Sequence, residues 1–187
     1  HGSAGAAILL AFPALSSAQT FQDNTTQIPQ GSPNNNSSTE NVDFGDVDGD
    51  GDWDAIFSDG GDFNQDQSRI WINLGGLQGG TVGWFQDQTS TRFPTMNLQS
   101  RDIEFADIDA DGDLDVYLSN TSRTINQSNH WWINLGGAQG GTPGFYQDQT
   151  AARWAGLGLA GSSIHPSQVL GSGGFIDYSC DCDFGDL

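Results

Sequence analysis

Phe44-Gly-Asp-Val-Asp-Gly-Asp-Gly-Asp-Trp-Asp54 returns 61 residues later as Phe105-Ala-Asp-Ile-Asp-Ala-Asp-Gly-Asp-Leu-Asp115. The same offset carries Ile70-Trp-Ile-Asn-Leu-Gly-Gly76 onto Trp131-Trp-Ile-Asn-Leu-Gly-Gly137, and Gly83-Trp-Phe-Gln-Asp-Gln-Thr89 onto Gly144-Phe-Tyr-Gln-Asp-Gln-Thr150. Three matches in one register make the chain a tandem repeat. Phe21-Gln-Asp-Asn-Thr25 reads as the tail of a preceding unit and Phe184-Gly-Asp-Leu187 as the head of a following one. The chain thus divides into residues 1–19, an apolar segment; 20–43, a repeat tail with a Pro/Asn/Ser-rich connection; 44–104 and 105–183, two repeats; and 184–187. The second repeat carries a Gly/Ser-rich insertion from Ala155 to Gly174, read as a surface loop.

Within each unit short β-type runs alternate with Gly/Asn/Asp turns: Asp54 to Ser58, Arg69 to Asn73 and Gly83 to Asp87 in the first, with counterparts in the second. Three or four strands per unit, joined by tight turns, is the pattern of a propeller blade. The expected fold is all-β: tandem blades with metal loops, in an open or incomplete propeller. Period-2 alternation predicts that Ile70 and Ile72 share one face with Trp71 on the other, and that Trp132 copies Trp71.

The aspartates carry the chemistry. Asp46, Asp48, Asp50, Asp52 and Asp54 alternate around Gly51, and Asp107, Asp109, Asp111, Asp113 and Asp115 repeat the pattern around Gly112. Carboxylates at loop positions 1, 3, 5 and 9 converge if the chain coils tightly, which glycine at position 6 permits by accepting a positive φ. Position 7 (Asp52, Asp113) is expected to offer its backbone carbonyl, with its own carboxylate outward. Hard oxygen donors in this number suit Ca²⁺; Mg²⁺ takes fewer protein ligands, and zinc prefers His or Cys. Two calcium sites are expected. An EF-hand would need a glutamate at position 12, where this chain has Phe57 and Leu118 inside apolar runs.

The chain resembles the FG-GAP/VCBS repeat family, which includes the blades of integrin-α-type propellers and many secreted bacterial proteins. Phe44-Gly45-Asp46, Phe105-Ala106-Asp107 and Phe184-Gly185-Asp186 carry the likeness, over about residues 20 to 187. The resemblance implies that each Asp loop joins the first two strands of a blade and holds Ca²⁺ through Asp46, Asp48, Asp50 and Asp54, and through Asp107, Asp109, Asp111 and Asp115. Ala106 departs from the name motif without touching the loop. Copy number departs further: the family's propellers close with about seven blades, and barely three are present here.

Composition narrows the function. Of 187 residues, 24 are acidic and 5 basic, with no lysine and a formal charge of -19. Such a chain lacks the cation density to bind nucleic acid or an anionic membrane surface. Aromatic content of 11% separates it from disordered acidic tails. Gly5 to Ala14 followed by Leu15-Ser-Ser-Ala-Gln19 has the form of a secretory signal, too short and Pro-broken to span a membrane, so the protein is expected to be secreted and extracellular. Cys180 and Cys182 are too few for a disulfide framework. Sequons at Asn24, Asn35, Asn36, Asn120 and Asn126 permit glycosylation.

No reactive constellation points to an enzyme: His130 and His165 stand apart, and neither Cys has a base nearby in sequence. Trp53, Trp71, Trp84, Trp131, Trp132 and Trp154 could stack on sugars, but recurring strand positions favour core packing. The leading expectation is a calcium-stabilised structural or adhesive protein that binds other copies of itself, the head at 184–187 meeting the tail at 21–25 with Ala6 to Phe12 as donor strand. The alternatives are a carbohydrate-binding module and a piece of a larger exported propeller protein.

Overall fold

The computed structural model describes residues 22–29, 38–61, 64–121, 127–154 and 184. The secretory-type segment, the donor strand, the insertion at 155–174, both cysteines, His165 and residues 185–187 lie outside these.

Two four-stranded antiparallel meanders dominate. The first runs β1 (Thr39–Gly45), β2 (Asp54–Asp59), β4 (Arg69–Asn73), β5 (Phe85–Asp87); the second runs β7 (Ser100–Ala106), β8 (Asp115–Asn120), β9 (His130–Asn134), β10 (Tyr146–Asp148). Both sheets are open. A two-residue ladder of β3 (Asp66–Gln67) with β6 (Asn97–Leu98) ties the intervening connections. Phe44↔Ala55 recurs as Phe105↔Val116, Ala55↔Trp71 as Val116↔Trp132, and Ile72↔Gln86 as Ile133↔Gln147, so the register follows the 61-residue offset. The turns repeat too. Single 3-10 turns at Gly76–Gln78 and Gly137–Gln139 each end in a left-handed glycine, and short helices α1 (Thr89–Arg92) and α2 (Thr150–Trp154) follow the last strands. Each sheet begins five residues before its Phe44 or Phe105, since β1 opens at Thr39 and β7 at Ser100.

The sheets stack face to face around one core: Ile56, Ile70 and Ile72 from the first, Ile103, Val116, Leu118, Trp132 and Tyr146 from the second, with Val47, Phe93 and Leu98 filling between. Burying these side chains is the main stabilising term, about 1.5–3 kcal/mol for each large one. The faces that meet are unlike. Val116, Leu118 and Trp132 point at the first sheet, whereas their repeat counterparts Ala55, Phe57 and Trp71 lie on that sheet's far side. Ile70 and Ile72 are fully buried and Trp71 only partly so, as the alternation requires.

Trp132 does not share the environment of Trp71. It matches Trp71 in register but is fully buried, with Phe93 edge-on at 4.9 Å, because a second sheet covers its face. Trp71 instead packs on Phe57 at 4.4 Å, with the Arg69 guanidinium 5.4 Å from Phe57 and 5.5 Å from Trp71. Core packing also fails for Trp53, 68% exposed, and Trp84, 42% exposed, which stand just before β2 and β5. The Asn120 sequon is closed: its side chain is fully buried and donates to the Ser128 carbonyl.

Candidate metal centres

Each centre begins where the first strand of a sheet ends. Gly51 and Gly112 at loop position 6 take φ of 92° and 94°, the conformation that glycine adopts freely. Position 4 also turns left-handed, at Gly49 (φ 76°) and at Ala110 (φ 61°), where a Cβ makes that conformation costly. Ala110→Gly should therefore stabilise the protein by up to about 1 kcal/mol in thermal melts, and Gly49→Ala should destabilise it.

The coil turns backbone N–H groups toward carboxylates, bond for bond in both loops. Asp46 accepts from the amides of Asp50 and Gly51, both at 2.9 Å, and Asp107 from those of Asp111 and Gly112 at 3.0 and 3.1 Å. Asp50 accepts from the amides of Asp52 and Leu77; Asp111 accepts from Asp113 and Ala138. Asp54 receives the amides of Val47 and Asn73 at 3.1 and 2.8 Å, while Asp115 receives those of Ile108 and Asn134 at 3.0 and 2.8 Å. One oxygen of Asp48 is held by Gln78 Nε2 at 2.7 Å and Arg92 at 3.4 Å; Asp109 has Gln139 at 2.5 Å and Arg153 at 2.7 Å. Oxygens of Asp46, Asp48 and Asp50 lie within 4.8 Å of one another, as do those of Asp107, Asp109 and Asp115. These clusters could hold a metal ion.

What remains unpaired also repeats. Asp48 Oδ1, both carboxylate oxygens of Asp52 and Gln78 Oε1 are buried without a hydrogen-bond partner, and so are Asp109 Oδ1, both oxygens of Asp113 and Gln139 Oε1. Buried acceptors left unpaired are costly, and like-charged ones more so. The position-7 carboxylates therefore do not point outward. Asp52 is buried, with the Leu-Gly-Gly turn packed over it: a Cβ at Gly75 would collide with its carboxylate, and one at Gly76 with that of Asp50. Gly136 and Gly137 leave the same space for Asp113 and Asp111. Gly75→Ala and Gly136→Ala should each weaken metal uptake by their own loop, read by calorimetry.

Burial and neighbouring charges work against ionisation of several of these carboxyls. Burial pushes Asp54 and Asp113 up to about 7, against two backbone N–H bonds in the case of Asp54 and helped by Asp111 in the case of Asp113. Burial likewise lifts Asp115 to about 6, and raises Asp48 and Asp52 with help from Asp50. Asp111 moves down, held by the Ala138 amide.

Of the ten aspartates read from the sequence, the structure gathers Asp46, Asp48 and Asp50 in one group and Asp107, Asp109 and Asp115 in the other; Asp52, Asp111 and Asp113 lie in the loops outside those groups, and Asp54 and Asp115 open β2 and β8 as clamps between strands. The sequence reading missed Gln78, Gln139, Arg92 and Arg153, which brace the position-3 carboxylates. The repeat was the available signal: Leu-Gly-Gly-x-Gln recurs at Leu74 and Leu135, and an arginine recurs at 92 and 153. His130 Nδ1 lies 3.1 Å from Asp148, which its hydrogen bonds hold near 2 despite burial. No helix among the described residues is long and apolar enough to cross a membrane. No family model, curated protein or solved structure matches the chain.

Proposed function

We propose that this chain is a secreted calcium-binding repeat protein of structural or adhesive role, built from propeller-type blades of the FG-GAP/VCBS kind, whose copies join head to tail in an extracellular filament. The observation that carries the calcium reading is the matching pair of buried oxygen sets without partners in the two loops. Each offers hard, anionic oxygens in excess of any nearby positive charge, the donor set of a calcium site. Asp46, Asp48, Asp50 and Asp52 with Asp54 would hold one ion, and Asp107, Asp109, Asp111 and Asp113 with Asp115 the other. The ion supplies charge compensation and a cross-link; the chain's residues coil, brace and bury the site. Coordination by carboxylates and backbone alone suits a structural role better than catalysis.

Stacking of unlike faces supports assembly. A contact of that kind is heterologous and can continue. The far face of the first sheet exposes Val42 at 41% and Phe44 at 50%. On the far face of the second sheet, Phe184 lies 5.7 Å from Tyr117 and 6.5 Å from Trp131. Phe105, its counterpart in the repeat, packs against the inter-sheet core. Assembly then proceeds by stacking of sheets in addition to any strand exchange. Sedimentation in calcium should show mass growing with concentration; a single species of 19.9 kDa at all concentrations would reject the filament.

Exposed Trp53 and Trp84 favour a second reading, a carbohydrate-binding module. Saturable quenching of tryptophan fluorescence by a glycan, lost in Trp53→Ala and Trp84→Ala, is its test.

A further inference from the structure

The two centres are not separate. Asn134 is fully buried, and its backbone N–H donates to Asp115 of the second loop at 2.8 Å. Its side-chain Nδ2 donates at 3.2 Å to the Leu114 carbonyl and, across the sheet interface, at 3.0 Å to the carbonyl of Val47 in the first loop. Val47 lies between Asp46 and Asp48 and donates its own N–H to Asp54 at 3.1 Å. Three hydrogen bonds therefore join the position-9 carboxylates of the two loops, Asp54 to Val47 to Asn134 to Asp115, and every residue on the path is at most 1% exposed.

A second path ends on the same side chain. Arg92, buried beside Phe145 at 4.9 Å, reaches Asp48 at 3.4 Å and the Gly144 carbonyl at 3.1 Å. The Gly144 N–H donates at 2.8 Å to Asn134 Oδ1. Asn73 provides an internal control. It makes the same bonds within its repeat, to Asp54, to the Trp53 carbonyl and from the Gly83 amide, but among the described residues none to another loop.

We propose that Asn134 is a positioning residue common to both centres and that it makes calcium uptake by the two loops cooperative; this rests on the calcium reading above. An ion in the second loop fixes Asp115 and, through its backbone bond, the orientation of Asn134. The Asn134 amide then holds the Val47 carbonyl, and with it the spacing of Asp46 and Asp48. Ordering that shared segment once lowers the entropy cost of filling the other loop. The effect runs equally in both directions, as linkage demands.

The test is calcium titration calorimetry on the whole chain and on variants with one loop disabled. Asp111→Ala should weaken binding at the first loop by about five-fold or more, and Asp50→Ala should weaken the second by the same factor. In an Asn134→Ser background, which keeps the backbone bond to Asp115, each loss should leave the other loop's affinity unchanged. Asn73→Ser should preserve the coupling. If Asn134→Ser does not fold, NMR of the Asp111→Ala variant decides: filling the first loop should shift the Asn134 side-chain amide signals. Two bound ions with independent affinities, or unmoved Asn134 signals, would overturn the coupling alone. Absence of any uptake would overturn the calcium reading and this inference with it.

Discussion

In EDTA the protein should melt about 10–20 °C below its transition in calcium, or show no cooperative transition at all. A ligand at about 100 times its dissociation constant stabilises the folded state by about 2.7 kcal/mol per site, so two sites contribute about 5 kcal/mol. That is a large share of the roughly 5–15 kcal/mol by which a domain is stable, and for a chain this long each kcal/mol shifts the midpoint by about 2–4 °C. Without an ion, Asp48, Asp52 and their counterparts keep buried oxygens that no hydrogen-bond donor reaches. Asp50→Ala or Asp111→Ala should remove one ion each and lower the midpoint in calcium by roughly half the EDTA effect. Scanning calorimetry checks this, and identical melts with and without EDTA would refute it.

The second large effect is on pH dependence. Asp54 and Asp113 are raised to about 7 and Asp115 to about 6 in the metal-free fold, all above their unfolded values. A carboxyl whose folded pKa is raised binds its proton more tightly when folded. Its stabilising contribution is complete below the unfolded pKa near 4 and is lost as pH rises through the folded value. Metal-free protein should therefore lose stability between about pH 4 and 7, opposite in sign to ordinary acid denaturation. Calcium bound at these carboxylates would displace those protons, so uptake near pH 6 should release them and uptake near pH 9 should not. Calorimetry in buffers of different ionisation enthalpy reads the release directly. A metal-free melting temperature that is flat from pH 5 to 8, with no proton release, would contradict the assignment.

Strand positions and loops were legible because their causes are local. The β-branched and aromatic runs at Arg69 to Asn73, and the alternate aspartates around Gly51, state their conformations within a few residues. The 61-residue repeat then doubled every such statement. Facing was less legible, since alternation tells which residues share a face but not what covers it. Trp71 and Trp132 are alike in sequence and register, and differ because only one lies against a second sheet. The position-7 carboxylates misled for a related reason. Their burial is imposed by the Leu-Gly-Gly turn, more than twenty residues away along the chain, whose missing Cβ atoms make the space. Gln78 and Arg92 brace Asp48 from still farther along the chain, 30 and 44 residues away, where nothing local marks them as partners of the loop. Repetition of a polar residue at a fixed offset was the one trace they left.

Titration calorimetry of the metal-free chain with calcium, run alongside native mass spectrometry, tests the central claim most directly. The account predicts two ions bound per chain, falling to one in Asp50→Ala and in Asp111→Ala, with uptake accompanied by a gain in thermal stability. A stoichiometry of zero, or two ions retained in both variants, would contradict it.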